Sequence, residues 1–281
     1  MPGKSTGISE QDRSAVTRSE LHSFLEENYK RYNRPEFIPA DPISIPHQFS
    51  KKQDIEISGF LAATIAWGQR PTILKNANEL MRRMDHAPHD FILNHSKKDL
   101  VRFRNFKHRT FNSIDCVFFL QSLRNIYRKN NSLEDTFHPS LVSGEGLGVR
   151  SSIKNFRKIF FSIPHAHRTQ KHVSCPPLGD RGNGSACKRL NMFLRWMVRQ
   201  DKQGVDFGIW KTIKAADLMC PLDVHSGNTA RELGLLARKQ NDWQSVEELT
   251  SRLKEFDPKD PVKYDLALFG IGVTKPRAGE N

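Results

Sequence analysis

Apolar positions along this chain recur at helical rather than alternating spacing. Thr17-x-x-Glu20 has the form of a capping box, and Leu21, Phe24, Leu25, Tyr29 and Tyr32 follow on one face, which predicts a first helix. Pro35, Pro39, Pro42 and Pro46 disfavour helix at the residues before them, so 35–46 is expected to run as an extended, wrapping arm. From Asp54 the series Ile57, Phe60, Leu61, Thr64 and Ile65 predicts a helix that stops before Gly68. Pro71 opens another through Leu74, Ala77, Leu80, Met81 and Met84, and the two are expected to pair antiparallel. Ser113 is placed to cap a helix through Ile114, Val117, Phe118, Gln121 and Ile126, and Ile153, Phe156, Ile159 and Phe160 mark one more.

Two stretches, 139–148 and 164–184, shift to Gly, Pro, Ser, His and basic residues, which punctuate chains rather than form cores. Helical patterns resume at Ala186–Arg199 and Val224–Leu233, then at Trp243–Phe256 behind Asp242 and Pro261–Phe269 behind Asp260. No strand pattern interrupts them. The expectation is an all-α, two-lobed protein: an N-terminal helical lobe over 17–162, a basic linker over 163–184, and a C-terminal helical lobe over 185–273.

Charge adds a partner to this picture. The 281 residues carry 44 Lys+Arg against 31 Asp+Glu, a formal net charge of +13, which suggests a phosphate-bearing partner beside the plainer reading of solubility. Nothing approaches the roughly 18 uncharged apolar residues of a membrane span. Cys116, Cys175, Cys187 and Cys220 match no zinc or iron–sulfur spacing, so free thiols, no metal and no cofactor are expected. The polar first thirty residues lack the apolar run of a secretory signal, which fits a reducing cytoplasm.

The chemistry concentrates in two segments. At 100° per residue, the Ala186–Arg199 helix puts Leu190, Phe193, Leu194 and Met197 on one side and Lys188, Met192, Arg195 and Arg199 on the other. Lys188 falls in the first turn, with Ser185 placed as its N-cap, and a first-turn lysine among arginines is a candidate Schiff-base nucleophile as well as a candidate surface cation. In Pro221-Leu-Asp-Val-His225, Asp223 occupies an N-cap position. A capping carboxylate that faces a cleft can also stabilise positive charge in a transition state. Phe106-Lys-His-Arg-Thr-Phe111 interleaves cations with aromatics, making Lys107, His108 and Arg109 candidate nucleic-acid contacts beside Arg70. Trp67 and His225 are candidate walls of a base pocket, although a tryptophan ending an apolar helix also fits a core. His165, His167 and His172 read as solvated or phosphate-contacting, and Trp196 has no assignment.

Pro221-Leu-Asp-Val-His225 followed by Ala230-Arg-Glu-Leu-Gly-Leu235 resembles an element of helix-hairpin-helix DNA glycosylases. The longer strings Ala66-Trp-Gly-Gln-Arg70, Phe106–Phe111, Lys188–Arg199 and Tyr264-Asp-Leu-Ala-Leu-Phe-Gly-Ile-Gly272 are similar to an uncharacterised bacterial family of unknown function, over Leu21 to Val273. The glycosylase resemblance implies a cleft between two helical lobes, where a lysine attacks the sugar of a nucleotide flipped from duplex DNA and an aspartate like Asp223 assists. Lys188 lies 223 − 188 = 35 residues upstream of Asp223, nearest to the spacing of the archaeal 8-oxoguanine glycosylase branch. On that resemblance Arg195 and Arg199 hold flanking phosphates, and Arg199–Gly208 serves as a divergent hairpin. The implied activity is excision of a damaged base, such as an oxidised purine, from nucleoid DNA, with lyase cleavage through the Schiff base. The alternatives are a non-catalytic helical module that binds DNA or RNA and a helical scaffold for a protein partner, the latter marked by interactions insensitive to ionic strength.

Overall fold

A computed structural model describes residues 17–138, 148–177 and 184–274. The Gly-, Pro- and Ser-rich positions 139–147 and 178–183 lie outside the described residues. The described chain is mainly helical: α1 (Arg18–Tyr32), α2 (Lys52–Thr64), α3 (Arg70–Arg83), α4 (Pro88–Asn94), α5 (Ser113–Tyr127), α6 (Val149–Phe160), α7 (Lys188–Val198), α8 (Val224–Glu232), α9 (Trp243–Lys254) and α10 (Tyr264–Thr274). The only sheet among the described residues is a two-residue hairpin, β1 (Lys107–His108) against β2 (Phe111–Asn112).

Local signals explain most helix starts. Thr17 and Glu20 form the capping box of α1, each side chain accepting from the other residue's N–H. Asp223 does the same for α8 with Ser226, and Asp242 accepts from Ser245 N–H at the start of α9. Three expected starts differ. Asn112, not Ser113, caps α5, with Asp115 closing the box. Ser185 lies outside α7, which begins from Cys187 in a left-handed conformation at φ 49° with no side-chain cap. Asp260 caps nothing, because its carboxylate is drawn to Arg199, and a single 3-10 turn at Pro261–Lys263 leads into α10.

The proline arm is not extended. It forms three 3-10 turns, Pro35–Ala40, Pro42–Ser44 and Pro46–Gln48, each opened by proline. Proline restrains the residue before it, and Arg34 and Asp41 are indeed extended. Its own fixed φ and missing N–H suit the first position of a helical turn. The arm seats Ile43 and Ile45 fully in the core.

Two apolar clusters organise the packing. The larger takes the arm, α2 to α7 and Trp210, and the smaller takes residues of α1, α8, α9 and α10, among them Leu25, Ala230, Leu249 and Leu268. The clusters therefore do not follow the chain division at 163–184, because α1 joins the last three helices and α7 joins the first ones. Close crossings explain why. Helix α2 is buried from Ile55 to Thr64 and packs chiefly on α7 rather than α3, with Gly59 leaving 3.2 Å between an added Cβ and the Met197 methyl. On α10, a Cβ at Gly270 would lie 2.2 Å from the Tyr32 ring of α1, and one at Gly272 would lie 2.9 Å from the His225 carbonyl oxygen. Trp196, unassigned from sequence, is fully buried. None of the described helices is long and apolar enough to cross a membrane.

Candidate functional site

A cavity of about 490 Å³ opens where the two clusters meet. Its walls come from the arm (Phe37, Asp41), the α2–α3 connection (Trp67, Gly68, Arg70), α7 (Lys188, Arg195), the start of α8 (Asp223, His225) and α10 (Asp265, Phe269). That volume suits a nucleoside-sized ligand.

The two segments singled out by sequence meet here. Lys188 Nζ lies 3.7 Å from Asp223 Oδ2, both side chains about a quarter exposed. Asp223 Oδ1 accepts from Ser226 N–H at 3.0 Å, so the cap fixes one oxygen while the other faces the lysine. Trp67, Arg70 and His225 share the same lining, with the Arg70 guanidinium 5.2 Å over the Phe269 ring. Arg109, at φ 55° on the hairpin, packs across Gly68, whose φ of 101° bends the chain beneath it. Lys107 is exposed on the same hairpin.

Four expected contacts are enclosed by the protein instead. Arg199 is 1% exposed and absent from the cavity lining. Its Nη1 donates to Asp201 and Asp206 at 2.7 and 2.9 Å, its Nε to Asp260 at 2.9 Å, and its Nη2 to the Tyr29 hydroxyl at 2.5 Å. Arg195 lines the cavity but is 4% exposed and donates to Asp206 and Asp265. The cationic stripe of α7 is thus covered by carboxylates from later in the chain and is no open phosphate-binding face. His108 is buried, its two ring nitrogens engaged by the Asn76 amide and the Trp67 carbonyl oxygen. His172 is buried as well, stacked 6.0 Å from Trp67 and 3.3 Å from Asp115. Together with Arg189, 4.8 Å over the indole, these histidines hold Trp67 from behind.

The segment Arg199–Gly208 makes turns, not a helix-flanked hairpin. Gly204 and Gly208 take positive φ as expected, but the chain returns to α7 through Phe207 N–H to the Trp196 carbonyl, and no α-helix follows before α8.

Sequence reading missed Asp41, Asp265, Phe37 and Phe269. Asp265 carried a signal, since an acidic residue in the otherwise apolar run Tyr264–Gly272 needs a buried partner, here Arg195. Burial pushes its carboxyl up to about 6, the nearby Asp223 adding to that against the pull of Arg195 and Lys188. Between its ordinary value of 3.8 and about 6, the folded protein holds more proton at this site than the unfolded chain does. Its contribution is therefore full below 3.8 and lost as pH rises through 6. Urea midpoints should show the wild type losing stability relative to Asp265→Asn across that window and running parallel above it. Wild type gaining stability relative to Asp265→Asn as pH rises across that window contradicts this.

Among the described residues no group of three His, Cys, Asp or Glu side chains could hold a metal ion, and Cys116, Cys187 and Cys220 are buried. A family described as protein of unknown function (DUF2400) matches residues 41–274. The chain belongs to this family. The DUF2400 match starts at Asp41 and ends at the last residue of α10, so it takes in the whole cavity except Phe37. No curated protein and no solved structure matches the chain.

Proposed function

We propose that this DUF2400 protein cleaves the N-glycosidic bond of a nucleotide flipped from duplex DNA, as its resemblance to helix-hairpin-helix DNA glycosylases implies. The observation that carries the reading is the Lys188–Asp223 pair, 3.7 Å apart in the lining of a cavity that Phe37, Trp67 and Phe269 also line. The Lys188 amine, its proton passed to water, attacks C1′ of the sugar; the C1′–base bond breaks and the base leaves with the electron pair, taking up a proton from water. Asp223 stabilises the positive charge that builds on the sugar. Opening of the sugar ring then gives a Schiff base with Lys188, through which a lyase step can cut the strand. Flipping costs a few kcal/mol of stacking, which the aromatic walls offset in part.

Duplex oligonucleotides carrying different damaged bases, with borohydride present, test the reading. Reduction of the imine fixes the DNA to the protein, and a covalent adduct in at least one lane is the expected result. The ion pair itself favours a second reading: Lys188 held by Asp223 is a resting cation, as a non-catalytic nucleic-acid module would carry. That module binds DNA or RNA and gives no adduct in any lane.

With Arg195 and Arg199 engaged inside the protein, phosphate contact falls to Arg70, Lys107 and Arg109. Log K for duplex DNA against log salt should have a slope near −0.9 for each phosphate neutralised. Lys107→Ala and Arg109→Ala should each flatten it by about one contact. Binding insensitive to salt, or unchanged slopes in both variants, refutes this path.

A further inference from the structure

Positive charge is not evenly matched along this chain. Several cations are paired: Arg82 and Arg83 share Glu79, Arg238 meets Asp242, and Lys263 meets Glu26 and Asp257. The described segment 148–177 is different. It carries Arg150, Lys154, Arg157, Lys158, Arg168 and Lys171 and no Asp or Glu, so it supplies six of the net +13. Arg150 reaches Glu247 at 3.9 Å, but among the described residues no carboxylate lies within ion-pair distance of Arg157, Lys158, Arg168 or Lys171.

Folding gathers these charges on one side. Helix α6 turns Val149, Ile153, Phe156 and Phe160 into the core, which leaves Lys154, Arg157 and Lys158 towards the outside. Arg157 ties the helix to the 3-10 turn His167–His172 by donating to the Gln170 and Val173 carbonyl oxygens, which satisfies its hydrogen bonds without cancelling its charge. A trough of about 630 Å³ is lined there by Lys154, Arg157, Lys158, His165 and Gln170, and a second hollow of about 450 Å³ shares Lys158 and adds Lys129. No carboxylate lines either, and neither shares a residue with the Lys188 cavity. Arg168 and Lys171 are exposed on the adjoining turn. The rings of the trough are already engaged. Phe161 is stacked on Phe118 at 5.4 Å and covered by the Arg157 guanidinium at 4.8 Å, while the two nitrogens of His165 meet the Ile163 carbonyl oxygen and the Gln170 amide. With no ring face left to stack a base, the trough presents charge alone. That suits the phosphate backbone of a duplex, whose bases are stacked inside, rather than a single strand.

We infer that the outer face of α6 and the His167–His172 turn bind the backbone of duplex DNA at a second site, apart from the segment at the Lys188 cavity, so that one chain holds two duplex segments. The choice of DNA rests on the proposed reading of the cavity; the site itself does not.

Sedimentation of the full chain with an undamaged duplex of about 12 base pairs, too stiff to bend around the protein, counts the sites. At about 0.15 M salt the wild type should bind two duplexes. The triple variant Lys158→Glu, Arg168→Glu, Lys171→Glu and its milder triple-alanine counterpart, both checked for folding by circular dichroism, should each bind one. A wild type that binds a single duplex, lost in both triple variants, ends the path through Arg70, Lys107 and Arg109 and leaves this site standing. The inference is overturned by a wild type that binds no duplex, by unchanged stoichiometry in the charge-reversed variant, or by loss of both duplexes in the alanine variant. Equal competition by single-stranded DNA or polyglutamate at matched charge also overturns it.

Discussion

Replacing Lys188 with glutamine should abolish borohydride trapping while leaving duplex binding within a few-fold of wild type. Glutamine keeps the polarity and most of the length of the side chain but cannot form an imine, and the proposed phosphate contacts Arg70, Lys107 and Arg109 are left unchanged. Asp223→Asn should act differently. Asparagine is as good an N-cap as aspartate, so the acceptor for Ser226 N–H survives and α8 should form with little loss of stability. What disappears is the charge 3.7 Å from Lys188, and turnover should fall by about 10²- to 10³-fold, the range for loss of one electrostatic stabiliser. Single-turnover assays on whichever damaged duplex gives an adduct would read both. Adducts retained in Lys188→Gln remove the lysine from the mechanism, and full turnover in Asp223→Asn reduces that residue to its cap.

The other large effect is on stability. Arg199→Met should destabilise the fold by about 3–5 kcal/mol, because it strands carboxylates in the interior. The Asp206 side chain is fully buried, and Asp201 and Asp260 are mostly so. Asp260 already has its carboxyl raised by burial even with Arg199 beside it. Methionine fills the volume of the stem and offers nothing to the three acids or to the Tyr29 hydroxyl. Denaturant midpoints would measure the loss, and Lys107→Ala, at an exposed position, should change them by less than about 0.5 kcal/mol. A loss below about 1 kcal/mol in Arg199→Met means the network contributes little to stability.

These two sites show where the sequence could be read and where it could not. Asp223 was legible because a cap is set by a few adjacent residues, and Lys188 because the periodic run puts it in a first turn, though its expected Ser185 cap is absent; the tertiary fold brings the two to one cavity. Periodicity also separated the two faces of α7 correctly, but a face says nothing of what covers it. The carboxylates that enclose Arg195 and Arg199 come from Asp206, Asp260 and Asp265, and only the tertiary fold brings those positions together. Asp41 was hidden for the same reason, since between Ala40 and Pro42 it reads as a turn residue until the arm folds against α7 and α10. The all-α class was plain throughout, because helical spacing recurs in every apolar run. The grouping of helices was not, because the contact of α1 with α10 spans nearly the whole chain.

That long-range contact has a mechanical side. Helix α10 touches α1 at Gly270 and α8 at Gly272, two residues apart, and at neither point is a flexible side chain of α10 interposed. A long side chain can absorb a shift by changing rotamer, whereas a glycine against a ring or a carbonyl has no such slack. A shift of α1 against α10 therefore has little slack before it reaches the backbone of His225, two residues beyond Asp223.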